Sequence, residues 1–190
     1  MLKVVIGVTS LARAGKDTFA DYIVKKYGYK KFNMSDVLKE ELIKQGKEPT
    51  KNNMSLLGDE LRKKFGEDIV MKMLFDRIIG EKKVVITGIR SLKEIVFIRT
   101  KCDYFFLVAI EANKEIRFSR RKENDPQTKK EFFARDERDI KNKGLGEVIE
   151  LADYKIINNG TLEEFYKNID KVMEEIESKI KNPPPYLAAA

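Results

Sequence analysis

Residues 2–23 read LKVVIGVTSLARAGKDTFADYI, and the fold turns on this stretch. Its first part is apolar and β-branched, as expected of a strand covered on both faces. Its last part, continued by one residue, places Phe19, Ala20, Ile23 and Val24 at helical spacing. Between the two lies a turn of small residues, 11–15, followed by Lys16, Asp17 and Thr18. A strand–turn–helix of this kind points consecutive backbone N–H groups into one concavity, and the helix start adds about half a positive elementary charge there. The expected element is a phosphate-binding loop of Ala12, Arg13, Ala14, Gly15, Lys16, Asp17 and Thr18, with Lys16 reaching the outer phosphates of a nucleotide. The strict pattern G-x-x-x-x-G-K-[ST] is broken twice: Ser10 stands where the first glycine belongs, and Asp17 where the magnesium-binding hydroxyl belongs. The alternative is a glycine-containing βα turn with an exposed lysine.

At 190 residues the chain fits one domain with a substantial core. No apolar run approaches the roughly 20 residues needed to cross a bilayer, and the short basic start lacks a signal peptide's cleavage pattern, so a cytoplasmic protein is expected. Cys102 is the lone cysteine and there is no histidine, which excludes a Cys–His pair and removes the commonest zinc ligand and general base. Chemistry is left to carboxylates, lysine, arginine and bound metal, a set suited to phosphoryl transfer. The net charge of +7 suits nucleic acid, an anionic membrane surface or a small polyanionic ligand such as a nucleotide. Nucleic acid is not the expected partner, because no basic stripe is interleaved with aromatic residues.

Strands are expected at 2–8, 31–34, 84–87, 104–110 and 155–157, separated by longer helical patterns, and this alternation implies a parallel sheet in a three-layer α/β sandwich. Ligands of such sheets bind beyond the carboxyl ends of the strands, where the Gly15 turn, Asp36, Arg90 and Glu111 would gather. Residues 36–80 read as helical, broken at Gly46-Lys47-Glu48-Pro49, with Leu56, Leu57, Leu61 and Phe65 on one face. Residues 114–143 are densely charged and read as a lid, with Arg117, Arg120, Arg121, Arg135 and Arg138 flanking Asn124-Asp125-Pro126. A last helix opens with the capping box Thr161 and Glu164 and carries a stripe of Leu162, Phe165, Ile169, Val172, Ile176 and Ile180.

Gly15-Lys16-Asp17-Thr18 with Phe19-Ala20-Asp21-Tyr22 resembles the loop of the bacteriophage-type deoxynucleoside monophosphate kinases, in which aspartate likewise follows the lysine. LLGDELRKKFGEDIV at 56–70 and VVITGIRSLKEIVFIR at 84–99 resemble that family and the archaeal adenylate-kinase-like proteins related to dephospho-CoA kinase. Asn33-Met34-Ser35-Asp36, RKENDPQTKKEFFARDERD at 121–139 and GLGEVIELADYKIINNGTLEEF at 144–165 resemble the archaeal group. The resemblance runs through almost the whole chain up to about Val172. It implies the P-loop nucleoside monophosphate kinase fold: a five-stranded parallel sheet in one domain, 1–181, with an acceptor-binding segment at 36–80, an arginine-bearing lid at 114–143 and a tail at 182–190. It also implies transfer of the γ-phosphoryl group of ATP, assisted by magnesium, to a (deoxy)nucleoside monophosphate. Dephospho-CoA is the rival acceptor, and a nucleotide-dependent binding or switch protein is the rival class.

On this resemblance Gly15 and its neighbours would hold the β-phosphate, Lys16 the β and γ oxygens, and Thr18 the α-phosphate or the metal shell. A carboxylate about 4 Å from a phosphate charge costs about 4 kcal/mol at an effective dielectric of 20, so Asp17 must approach magnesium or turn away. The metal shell is the favoured place for it. Asp36 would orient the acceptor or share the metal, or else cap a helix starting at Val37. Arg90 would bind the acceptor's phosphate, or else pair with Glu94 at i+4, and Arg62 would add to the acceptor site. Arg135 is the preferred lid arginine and Arg121 the second, with Arg117 and Arg138 also able to fold over the triphosphate. Asn158-Asn159-Gly160 would cradle adenine, or else form a plain turn. Thr87 departs from the archaeal pattern, which usually carries an aspartate there.

Overall fold

The computed structural model describes residues 2–183, so the expected tail lies outside the described residues from 184 onward. β1 (Leu2–Ser10) leads through the small-residue turn into α1 (Lys16–Tyr27), and β2 (Lys30–Asn33) follows. α2 (Met34–Lys44), α3 (Lys51–Phe65) and α4 (Ile69–Ile78) then precede β3 (Lys83–Thr87), α5 (Leu92–Arg99) and β4 (Cys102–Glu111). α6 (Lys114–Ser119), α7 (Lys129–Lys143) and α8 (Leu145–Glu150) come before β5 (Tyr154–Ile157) and α9 (Leu162–Lys181). All strand pairings are parallel and the order is β2-β3-β1-β4-β5. β1 is therefore central, and the turn that follows it opens at the middle of the carboxyl edge.

Alternation along the strands separates two cores. Val5, Val84, Ile86 and Leu107 face one side, packed by α2, α3, α4 and α5. Val4, Ile6, Val8, Val85, Phe106 and Val108 face the other, packed by α1 and α9. The sheet is covered on both faces, which explains its near-continuous apolar strands. α1 is anchored to α9 by a polar cluster as well: Tyr22 and Tyr27 donate to Asp170 at 3.0 and 2.8 Å, Lys26 pairs with it at 2.8 Å, and Tyr22 stacks on Tyr166. The helix that starts at the turn after β1 is thereby tied to α9 through its second half.

Three local expectations need correction. On α3, Leu57 is buried and Leu61 packs partly against the core, but Leu56 and Phe65 are exposed. Leu56 lies about 100° round the helix from Leu57, and the buried line instead takes in Met54 and Gly58. α2 begins at Met34, three residues before Val37, so Asn33 is its N-cap and Asp36 sits inside the first turn rather than capping it. At α9 the capping box of Thr161 and Glu164 forms, yet Leu162 points outward, and Met173 joins the buried stripe.

Candidate active site

The turn after β1 is a cradle whose inner surface is backbone. Gly15 is the N-cap of α1 with φ +118°, and it supplies no side-chain cap to the helix's first N–H groups. By contrast α3, α5, α7 and α9 are each closed by a hydroxyl, from Thr50, Ser91, Thr128 and Thr161. The start of α1 is left without a side-chain cap, and the uncapped N–H groups of a helix start are suited to binding anions. A Cβ at Gly15 would lie 2.5 Å from Asn158 Nδ2, so glycine is required by space as well as by φ.

For N–H groups to face inward, carbonyls must face outward, and buried carbonyls need partners. Two side chains from distant elements supply them. Arg117 of α6, 2% exposed, donates Nη1 to Ala12 O at 3.1 Å, Nε to Ala112 O at 3.2 Å and Nη2 to Asp136 of α7 at 2.7 Å. Asn158, buried at the end of β5, donates Nδ2 to Ala14 O at 2.8 Å. Arg117 thus corrects the expectation of an arginine over the triphosphate: it braces the loop from behind. These braces were missed because nothing local in the sequence marks a side chain that bonds a carbonyl more than a hundred residues away.

Lys16 Nζ lies 2.6 Å from Asp17 Oδ2, and Lys31 is 3.5 Å from the other oxygen. Burial disfavours the charged form of Asp17, but the Lys16 and Lys31 ammonium groups outweigh it and hold the carboxyl below its ordinary value. Thr18 lies in the first turn of α1, beside Asp17.

At the end of β3, Thr87 is 2% exposed and donates Oγ1 to Asn33 Oδ1 at 2.5 Å; Asn33 Nδ2 then donates to Asp36 at 2.8 Å. Since β2 and β3 are paired at Asn33 and Thr87, and β3 and β1 at Thr87 and Val8, this relay runs along the same carboxyl edge as the loop. The Arg90 guanidinium pairs with Asp139 of α7 at 3.3 Å and not with Glu94, which corrects the i+4 alternative. Glu94 is fully buried and takes Arg62 at 3.1 Å together with the Arg90 and Ser91 N–H groups. Burial pushes its carboxyl up, against the opposing pull of Arg62. Arg62 is accordingly committed to α5.

In the segment expected to form a lid, Arg121 stacks on Phe118, with its guanidinium 4.1 Å from the ring centre, and donates to Phe118 O and Gln127, so the structure keeps it on its own segment. Arg138 is exposed on α7. Arg135 reaches Asp125, whose side chain is 1% exposed, and Arg13 of the loop binds the same carboxylate through Nε and Nη2. Lys51 at the start of α3 adds a third cation at 2.9 Å. Burial opposes the charge on Asp125, yet the Lys122 N–H, Lys51 and Arg13 hold its carboxyl well below the usual range. Arg13 is the only non-glycine residue with positive φ among those described, at +63°, a conformation costing about 1–2 kcal/mol.

Beyond β5, Asn159 Oδ1 accepts from Asn113 N at 2.8 Å, and a side chain at Gly160 would strike the Glu164 carboxylate of the α9 capping box. A cleft of about 600 Å³ runs from Asn158, Asn159 and Gly160 along α9. Phe165 lines it and also lies behind Gly15, so the cleft adjoins the turn after β1. Arg120 closes the same corner by donating to Asn158 O at 3.0 Å, a contact the sequence reading did not assign.

Comparison with known proteins places the family and the fold. Residues 12–141 match the AAA domain family. The UPF0200 protein TK1334 of Thermococcus kodakarensis is 32% identical over 186 residues, covering 93% of this chain and all of the relative. The UPF0200 protein MJ1399 of Methanocaldococcus jannaschii is 31% identical over 190 residues, covering 95% of this chain and 94% of that one. Among solved structures, shikimate kinase from Bacteroides thetaiotaomicron superimposes with a TM-score of 0.60 at 17% identity over 92% of this chain and 98% of its own. TT1252 from Thermus thermophilus gives 0.62 at 19% identity with the same coverage. At these identities the structural likeness shows the fold, a P-loop kinase-like α/β sandwich.

Proposed function

The chain belongs to the UPF0200 family and carries the AAA domain, and from that premise we propose that it transfers the γ-phosphoryl group of ATP to a small nucleotide acceptor, with a (deoxy)nucleoside monophosphate as the favoured class. The observation that carries this reading is the start of α1: an uncapped helix N-terminus behind Gly15, with the loop's carbonyls at Ala12 and Ala14 tied back by Arg117 and Asn158. Donors fixed before the anion arrives cost no reorganisation when charge develops, and positioning with electrostatic stabilisation is nearly all that phosphoryl transfer asks of a protein. Lys16 would leave Asp17 for the β and γ oxygens. Arg13 and Arg135 would neutralise the outer phosphates, and Arg90 would hold the acceptor's phosphate.

The oxygen donors near the loop fit magnesium, which takes few protein ligands and keeps several waters. Asp17 and Thr18 would hold it, with Asp36 as a further carboxylate on the acceptor side. When bound, the ion neutralises phosphate charge. Asp36 is oriented by the Thr87–Asn33 relay, and Thr87 stands where the archaeal group that the sequence resembles usually carries an aspartate. That same Thr87 favours a second reading, a nucleotide-dependent switch with little transfer. The protein is proposed to work in the cytoplasm; among the described residues no helix is long and apolar enough to cross a membrane. The test is a magnesium-dependent ADP-release screen across ribo- and deoxynucleoside monophosphates and dephospho-CoA, with Lys16→Ala as control. Acceptor-dependent turnover lost in the control supports the kinase reading and names the acceptor, whereas ATP binding without acceptor-dependent turnover favours the switch.

A further inference from the structure

Asp125 is where three functional segments meet. Its buried carboxylate accepts from Arg13 of the phosphate loop, Lys51 at the head of the proposed acceptor segment, and Arg135 of the lid helix, while the Lys122 N–H closes the turn at 2.9 Å. Three cations against one carboxylate leave two positive charges uncompensated within the cluster. Its donors are also unequally satisfied. Arg13 is held by two of its nitrogens, but Arg135 reaches Asp125 only at 3.5 Å, and its Nε is buried with no hydrogen-bond partner. A buried guanidinium N–H without an acceptor is costly, and the surplus charge makes an anion the natural acceptor.

We propose that Asp125 is a positioning residue for the transferred phosphoryl group: it gathers Arg13, Lys51 and Arg135 around one fixed anion and presents their surplus charge to the γ-phosphate. The inference rests on the phosphotransfer reading above. Without a carboxylate between them, three like charges repel and spread. With it, guanidinium donors are held in place before the phosphate arrives, the condition under which they discriminate most strongly in favour of added charge. Because the three cations come from the loop, the acceptor segment and the lid, the γ-phosphate is contacted fully only when all three are assembled.

The probe is a pair of ligands that differ by that phosphate: Mg·ADP and a magnesium-bound ATP analogue with a non-transferable γ-group. Calorimetric titration of the full chain is expected to show the analogue binding about tenfold tighter than Mg·ADP. Asp125→Asn is expected to erase that preference while leaving the Mg·ADP affinity within about twofold, because the β-phosphate is held by the loop's own N–H groups. Equal weakening of both ligands, or a preference that survives the substitution, would overturn the proposal. A wild-type chain with no preference for the analogue would overturn it too. Should Asp125→Asn not fold, Lys51→Gln at the exposed head of α3 takes its place, with an expected loss of about threefold in the preference and the same criteria. Failure of the underlying reading looks different: the wild type then binds neither nucleotide, or Lys16→Ala binds both as well as the wild type does, and the positioning role falls with it.

Discussion

In the phosphate loop an anion would meet backbone N–H groups along with Lys16, and the side chains that shape the backbone, Arg117 and Asn158, stand behind it holding Ala12 and Ala14 by their carbonyls. Around the lid the groups that would meet an anion are side chains, and what stands behind them is carboxylate carried by that segment: Asp125 for Arg135 and for Arg13 of the loop, and Asp139 for Arg90 after β3. The difference teaches how each region acquires its specificity. A backbone cradle is shaped by chain geometry and is little altered by salt or by single surface changes. A cradle of cations depends on counter-charges that a substitution can remove without disturbing the fold.

Breaking the brace tests the first half of this comparison, and the largest effect is expected there. Arg117→Met strands Asp136 in a buried setting, and loss of one partner of such a pair costs about 3–5 kcal/mol, to be read from the denaturant midpoint. A loss below 1 kcal/mol would mean that the loop is not held from α6. Next comes Lys16→Ala, expected to weaken Mg·ATP on the order of a hundredfold, about 2.7 kcal/mol, in a calorimetric titration while costing less than about 1 kcal/mol in stability. Asn158→Ala sharpens the contrast. It leaves the Ala14 carbonyl without its donor, an expected loss of about 1–2 kcal/mol in stability, together with weaker ATP binding, because loop shape and loop function are one property.

The smallest effect concerns Asp17. Its folded-state carboxyl is held below the ordinary value of 3.8, so its stabilising contribution is present above that value and is lost as pH falls through the folded one. The carboxylate is more than half exposed and screened by solvent, so the contribution stays below about 1 kcal/mol. The wild type should accordingly lose slightly more stability than Asp17→Asn between pH 6 and pH 3, with the difference measured by urea unfolding at each pH. Identical acid profiles would show that the Lys16 and Lys31 pairs add nothing to the fold.

The same contrast governs how much was legible beforehand. The sheet is readable because burial on both faces forces continuous apolar runs: expected strands at 2–8, 84–87, 104–110 and 155–157 fall within β1, β3, β4 and β5, and 31–34 misses β2 by one residue. The loop is readable because its conformation is imposed by neighbours in sequence, Gly15 above all. Partners across the fold are not. Nothing near Arg90 says that Asp139 will claim it in place of Glu94, and nothing near Glu94 announces Arg62. Asp125 reads as one acid in a polar turn until Arg13 and Lys51 arrive from more than seventy residues away. Leu56 and Phe65 show the same limit for packing, since apolar character gives a helix a stripe but not which residues at its margins the neighbouring helices cover.

The most direct test of the central claim, that the loop after β1 is a nucleotide phosphate site, is an amide ¹H–¹⁵N titration of the chain with Mg·ATP. The largest shifts are expected on Arg13, Ala14, Gly15, Lys16, Asp17 and Thr18, with a second group at Asn158, Asn159 and Gly160, and Lys16→Ala is expected to diminish both greatly. Unshifted loop amides at saturating Mg·ATP, or shifts confined to the exposed faces of α3 and α7, would contradict it.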